Sequence, residues 1–251
     1  MSSPTTLRVL ILGGSSEASH LARAVAGLPG IDPVLSLAGR TRNPELPPIP
    51  HRIGGFGGVP GLAAYLRAER IDLLVDATHP FAERMSANAV AACDETGVGL
   101  AVFTRPPWRA GQGDRWTEVD GAEAAARAIG GAPRRVFLTV GRQQVAAFEA
   151  APHHHYLIRA IDPPDPAPNL PHAELLLSRG PFALEDEVRV MRRHGIEMLV
   201  SKNSGGDAAR AKLDAARALG IPVILMRAPA REGAVFHDLD TLLAWIHRPA
   251  P

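Results

Sequence analysis

Several stretches of this chain set glycines and polar side chains directly after short apolar runs, where they could hold an anion. The first is Val9-Leu10-Ile11-Leu12-Gly13-Gly14-Ser15-Ser16-Glu17. An apolar strand here runs into a glycine turn, and a helix from Ser16 would aim its unpaired N–H groups and its dipole at a phosphate. Gly13 and Gly14 let the backbone approach a ligand with no Cβ in the way. Ser15 and Ala18 replace glycines of the full Gly-x-Gly-x-x-Gly fingerprint, so the same pattern also suits a plain strand–helix turn. The second stretch, Ser36-Leu37-Ala38-Gly39-Arg40-Thr41-Arg42, closes the next apolar run. A NAD site usually carries an acidic residue here for the ribose hydroxyls. None occurs between Val34 and Thr41. Arg40 beside Ser36 and Thr41 suits a 2′-phosphate, because a guanidinium forks onto phosphate oxygens. The chemistry is that of an NADP(H) site; two solvated loop arginines are the plainer alternative.

Four more stretches follow the same layout. Gly54-Gly55-Phe56-Gly57-Gly58 is a loop whose backbone could lie against a flat ligand, or a flexible connector. Asp76-Ala77-Thr78-His79-Pro80-Phe81-Ala82 follows an apolar run at 71–75. Pro80 suits a first helical turn, with Thr78 or His79 as its cap. His79 could pass a proton near neutral pH, although a histidine at a helix start is more often a cap. Val140-Gly141-Arg142-Gln143-Gln144 offers Arg142 to an anion. Ser201-Lys202-Asn203-Ser204-Gly205-Gly206-Asp207 gathers a lysine, an amide, hydroxyls and glycines at one helix start, which makes an anion cradle. Two such loops in one half of the chain point to a second ligand site there.

Positioning these loops needs strands that end together. Strands are predicted over 7–12, 33–37, 71–75, 99–103, 135–140, 155–160, 174–178, 197–201 and 221–226. Helices are predicted over 16–27, 59–69, 81–96, 121–129, 142–150, 182–194, 207–219 and 238–247. This alternation specifies an α/β fold of mainly parallel sheets covered by helices on both faces. In such sheets ligands collect beyond the carboxyl ends of the strands. The proline- and glycine-rich segment Thr104–Gly113 reads as a domain crossover. A second proline-rich stretch, Asp162–Pro171, reads as a long loop.

Composition narrows the class. The chain has 251 residues, 46% hydrophobic and 21% charged, with a formal net charge of +1. That balance argues against bulk nucleic-acid binding. Lys202 and Lys212 are the only lysines, so the basic side chains are nearly all arginine. Cys93 is the only cysteine, which excludes an internal disulfide or a cysteine-built zinc site. No stretch is long and apolar enough for a membrane span, and the N-terminal apolar run is too short for a signal peptide. A cytoplasmic location is expected. His153, His154 and His155 read as a solvated strand start, since neighbours on a strand point to opposite faces. No Gly-x-Ser-x-Gly elbow occurs, which argues against a hydrolase.

Together these segments resemble the precorrin-6A reductase family, NADPH-dependent enzymes of cobalamin (corrin ring) biosynthesis. Asp76–Ala82 is the most specific piece. Gly13-Gly14-x-x-Glu17, Ser36-x-x-Gly39-Arg40-Thr41, Ser178-Arg179-Gly180-Pro181-Phe182 and Ser201–Gly206 agree in order and spacing. Ser15 stands where the family has threonine, which keeps the hydroxyl. The resemblance implies two Rossmann-like domains, 1–104 for NADPH and 105–251 for the tetrapyrrole, with the active site in the cleft between them. It implies cofactor contacts from Gly13, Gly14, Ser15, Ser16, Ser36, Gly39, Arg40 and Thr41, and from Asp76, Ala77, Thr78, His79 and Pro80. It implies substrate contacts from Gly55, Arg142, Arg179, Lys202, Asn203, Ser204 and Gly205. The implied reaction is hydride transfer to a carbon–carbon double bond of precorrin-6A, giving precorrin-6B. His79 and Lys202 are the candidate proton donors; Lys202 equally suits a carboxylate anchor, and water is an alternative proton source. No resident metal is implied. Substrate and product would pass between this protein and neighbouring corrin-pathway enzymes. Two other readings share the nucleotide half: a reductase of cobalt-precorrin-6A, and a non-catalytic NADP(H)-binding sensor.

Overall fold

The structure, a computed structural model, describes residues 6–39 and 46–247. The chain forms two compact units, one running to Pro106 and resuming at Pro229, the other Pro107–Ala228. The first begins with β1 (Leu7–Leu12), α1 (Ser16–Ala24), β2 (Ile31–Leu37), β3 (His51–Ile53), α2 (Val59–Ala68), β4 (Leu73–Asp76), α3 (Glu83–Thr96) and β5 (Gly99–Phe103). β1 shows why its apolar run is unbroken. Val9 and Ile11 pack on the α1 side with Leu21 and Leu35, while Leu10 and Leu12 pack on the other face with Leu62, Leu66 and Ala89. A strand covered on both faces needs apolar residues at every position.

The second unit holds β6 (Trp116–Val119), α4 (Gly121–Ala128), β7 (Arg135–Thr139), a 3₁₀ helix (Arg142–Ala150), β8 (His155–Ala160), β9 (Ala173–Leu177), α5 (Leu184–Arg193), β10 (Met198–Lys202), α6 (Ala211–Leu219) and β11 (Val223–Met226). Its sheet is parallel, in the order β6-β11-β10-β7-β8-β9. Phe137, Leu157, Met191, Leu199, Leu213 and Leu225 form its core against α5 and α6.

The chain then returns to the first unit with β12 (Ala234–Phe236) and α7 (Leu239–Ile246). The first sheet is parallel too, in the order β12-β5-β4-β1-β2-β3. Both units are Rossmann-like. Residues 229–247, expected with the second domain, therefore divide from it. β12 pairs with β5, and Leu242 of α7 is wholly buried in the core that holds Ile11 and Leu21. Three strands escaped the sequence pattern: β3, β6 and β12. All are sheet-edge strands of three or four residues with none buried, too short to show the apolar run of a central strand. The helix expected over 142–150 is 3₁₀ rather than α. Among the described residues no helix is long and apolar enough to cross a membrane.

Candidate functional site

In the first sheet β2 lies on one side of β1 and β4 on the other. The chain reverses direction of winding there, and the carboxyl ends of β1 and β4 flank the crevice where open α/β sheets bind ligands. Gly13-Gly14-Ser15 leaves β1 at this point, and Asp76–Ala82 leaves β4. The two glycines differ in role. A Cβ on Gly13 would stand 2.8 Å from Leu35 Cδ1 and 3.3 Å from the Ser36 carbonyl oxygen, so Gly13 lets β1 close onto β2. Gly14 has φ +109°, a conformation that side chains rarely adopt, and the space its Cβ would occupy is open to 4 Å. Gly14 thus faces open space beside the turn.

Ser15 caps α1: its Oγ accepts from the Ala18 N–H at 3.0 Å and donates to the Ala77 carbonyl at 2.6 Å. That second bond ties the glycine turn to the β4 loop. Glu17 and Ser16 of the first turn meet Arg105, whose Nη1 lies 3.4 Å from Glu17 Oε1 and donates to Ser16 Oγ at 3.1 Å. The first-turn N–H groups have no carbonyl one turn earlier in the helix.

Asp76 is buried, and both of its oxygens are used inside the protein. Oδ1 accepts from the Thr78 N–H (3.0 Å) and Thr78 Oγ1 (2.6 Å); Oδ2 accepts from Ser86 Oγ (2.6 Å) and Arg231 Nη1 (2.6 Å). Arg231 also donates to Ser86 Oγ and, through Nη2, to the His79 carbonyl at 2.8 Å. Asp76 and Thr78 therefore shape the loop from within. Thr78 does not cap α3, because the turn 79–82 intervenes: the Ala82 N–H bonds the His79 carbonyl at 2.8 Å, and Ala82 precedes the helix. His79 Nδ1 accepts from the Phe81 N–H at 3.2 Å, which puts the proton of the neutral ring on Nε2. Pro80 lies within that turn.

At the carboxyl end of β2, Ser36 is buried and its Oγ accepts from Arg52 Nη1 at 2.8 Å. Arg52 further donates to the carbonyls of Gly54 (2.9 Å) and Gly55 (3.2 Å) and stacks 3.9 Å from the Phe56 ring centroid. Gly54, Gly57 and Gly58 all have positive φ, so this loop is built on conformations that favour glycine. Gly39 ends the strand at φ +73°. Arg40 and Thr41 lie outside the described residues.

In the second sheet the reversal falls between β7 and β10, and the loops from these strands stand together. A Cβ on Gly141 would sit 3.6 Å from Lys202 Nζ, so Lys202 lies over the start of the 3₁₀ helix that Arg142 opens. Gly205 and Gly206 turn the Lys202 loop at φ +67° and +72°. The buried Asn203 faces inward: Oδ1 accepts from the Trp108 N–H (2.8 Å) and Nδ2 donates to the Trp108 carbonyl (2.9 Å). Trp108 Nε1 donates to the Gly206 carbonyl at 2.8 Å. The crossover segment thereby supports the Lys202–Gly206 loop from below. Arg179 is exposed after β9, two strands from β7, and is not brought beside Lys202 by the sheet order. Its segment is anchored by Phe182, whose ring lies 4.1 Å from the Arg159 guanidinium; Arg159 in turn pairs with Glu187 at 2.7 Å, both buried.

Sequence reasoning missed Arg52, Arg105, Arg231 and Trp108. Arg52 and Arg231 sit on edge segments without an apolar run, and Arg105 and Trp108 fall in the proline-rich crossover. Each matters through contacts tens of residues away in sequence, except Arg52, whose nearness to the glycine loop was the one local signal.

Comparison with known proteins matches this arrangement to a family. Residues 8–247 fit the family described as precorrin-6x reductase CbiJ/CobK. A protein of Sinorhizobium sp. named precorrin-6A reductase is 52% identical over 244 residues, covering 95% of this chain and 94% of its own. One of Rhodobacter capsulatus with the same name is 50% identical over 240 residues, covering 95% of each. The solved structure of a CobK precorrin-6A reductase aligns with a TM-score of 0.85 over 96% of both chains, at 48% identity. With residues 8–247 fitting the family and about half of its residues identical to such relatives over most of its length, the chain belongs to the precorrin-6x reductase family.

Proposed function

We propose that this reductase transfers hydride from NADPH to one carbon–carbon double bond of precorrin-6A, giving precorrin-6B in cobalamin biosynthesis. The observation that carries the reading is the open Gly14 cradle at the sheet's reversal point, in a chain half identical to precorrin-6A reductases along its length. The residues fit a dinucleotide. The first turn of α1 and Ser16 would hold the diphosphate. Ser36, Gly39, Arg40 and Thr41 would meet the adenosine end, Arg40 supplying the charge a 2′-phosphate needs. Ala77, Thr78 and Pro80 would line the nicotinamide end, in a loop fixed by Asp76. When bound, NADPH supplies the hydride, the chemistry being the cofactor's own.

The protein's share is positioning and charge. Lys202 and Arg142 would anchor carboxylates of the macrocycle rim, with Ser204 and Gly205 presenting a hydroxyl and a backbone N–H from the same loop. Arg179 would meet a further carboxylate. Asn203 contributes through Trp108, as a positioning residue. Gly55 would allow a flat ring to approach closely. His79, with its proton on Nε2, is the candidate to deliver the proton to the carbon beside the one reduced, and Lys202 is the second.

The test is anaerobic NADPH oxidation by the purified protein with precorrin-6A, NADH run in parallel. Turnover with NADPH and much less with NADH is expected. NADPH binding without turnover would redirect the substrate assignment, the cobalt-containing analogue being offered next. Arg40→Ala should weaken NADPH and spare NADH; unchanged affinity for both would refute the placement of the 2′-phosphate at Arg40.

A further inference from the structure

Arg52 stands at the carboxyl edge of the first sheet with a positive charge and, among the described residues, no carboxylate within ion-pair distance. The other arginines that bond near this site are matched: Arg105 meets Glu17, and Arg231 meets Asp76. Arg52 is held in place by neutral acceptors instead, Ser36 Oγ at 2.8 Å and the carbonyls of Gly54 and Gly55 at 2.9 and 3.2 Å. Phe56 and Tyr65 stack on it, their ring centroids 3.9 and 5.3 Å away. Three of its five N–H groups are thus engaged, leaving the one on Nε and one on Nη2. Ser36 Oγ accepts from Arg52 and so has its own hydrogen to donate. A guanidinium fixed by five contacts loses little side-chain freedom when it meets a ligand. Its position, on β3 in register with Ser36 near the carboxyl end of β2, borders the place where Rossmann-type sheets receive the adenosine ribose.

We propose that Arg52 is a specificity-determining residue for this enzyme: a pre-ordered cation that, with Ser36, recognises the 2′-phosphate of NADP(H). Ser36 acts as the bridge, its oxygen facing the guanidinium and its hydrogen facing the ligand. The inference rests on the NADPH reading above and adds to it a residue from β3, outside the β2 loop where that reading places Arg40.

The test is equilibrium binding of NADPH and NADH to the full-length protein and to Arg52→Gln and Arg52→Lys. The unsubstituted protein is measured first, and must bind NADPH more tightly than NADH. Equal affinities there would overturn the NADPH reading itself, before any variant is considered. With that preference present, Arg52→Gln should weaken NADPH about tenfold or more while NADH stays within about twofold, as expected for losing a charge-assisted bond to phosphate. Arg52→Lys, which keeps the charge but not the planar fork, should fall between. Equal weakening of both nucleotides would mean that Arg52 only shapes the glycine loop, and would overturn the proposal. Unchanged affinity for both would overturn it as well. Should Arg52→Gln fold poorly, Arg52→Lys decides: it should weaken NADPH more than NADH through loss of the planar fork, while added salt still weakens NADPH more than NADH because the charge is kept. Arg52→Lys affinities that are unchanged, or weakened equally for both nucleotides, would overturn the proposal.

Discussion

Gly13 and Gly14 are neighbours with different physical reasons to be glycine, and their variants should separate. Gly13→Ala puts a methyl group 2.8 Å from Leu35 Cδ1, so it should lower folding stability by about 1–3 kcal/mol through overpacking, measured by urea denaturation. Gly14→Ala meets open space but must hold φ +109°; it should cost about 1–3 kcal/mol in strain and also weaken NADPH, read by titration of the folded variant. His154 supplies a second residue-scale expectation. The sequence placed it on a solvated strand start, whereas the ring is wholly buried. Burial first, then the charges of His153 and Arg134, hold its pKa below the ordinary 6.5, with a backbone group of Gly130 opposing. The folded ring therefore resists a proton that the unfolded chain accepts. Its contribution to stability is present above pH 6.5 and is lost progressively as pH falls from there through the lower pKa of the folded ring. Urea midpoints between pH 5 and 8 should fall at the acid end less steeply in His154→Leu than in the unsubstituted protein.

At the scale of elements, the Asp76–Ala82 loop is held from outside its own segment. Arg231 lies in the segment that leads into β12, joins Asp76 and Ser86, and fastens the His79 carbonyl. Asp76 and Arg231 side chains are 2% and 8% exposed, so removing one leaves a buried charge without its partner. Arg231→Met should therefore destabilise the protein by roughly 3 kcal/mol and weaken NADPH, while adding Asp76→Asn should restore part of the stability. Urea denaturation of the two singles and the double measures the coupling; strictly additive losses would mean that the pair does not act as a unit.

At the scale of the whole molecule, the chain leaves its first unit after β5 and comes back to it 130 residues later with β12. Leu242, Phe236 and Trp245 pack into the core that carries β1 and α1. A chain ending at Ala228 should therefore lose nucleotide binding and expose residues of the first unit to limited proteolysis. The second unit, Pro107–Ala228, keeps all of its strands and should resist the same protease longer. Equal resistance of the two halves would show that β12 and α7 are dispensable.

The sequence by itself determined the central strands, because the part of a strand buried on both faces reads as an apolar run, as 9–12, 100–103, 136–138 and 156–158 do. It also placed the candidate loops, since glycines and caps directly after such strands mark the carboxyl edge of a parallel sheet. Tertiary structure alone decided the edges and the roles. β3, β6 and β12 are strands because a neighbour offers its open edge, and their own three or four residues are too short a run to show it. Asp76, Ser15 and Asn203 look like ligand contacts in sequence, yet their side chains hydrogen-bond within the protein. The partners that show this, Arg231, Ala77 and Trp108, lie 155, 62 and 95 residues away. Local patterning marks the buried apolar runs; only folding brings distant polar groups within hydrogen-bond reach, and only folding buries a polar ring such as His154.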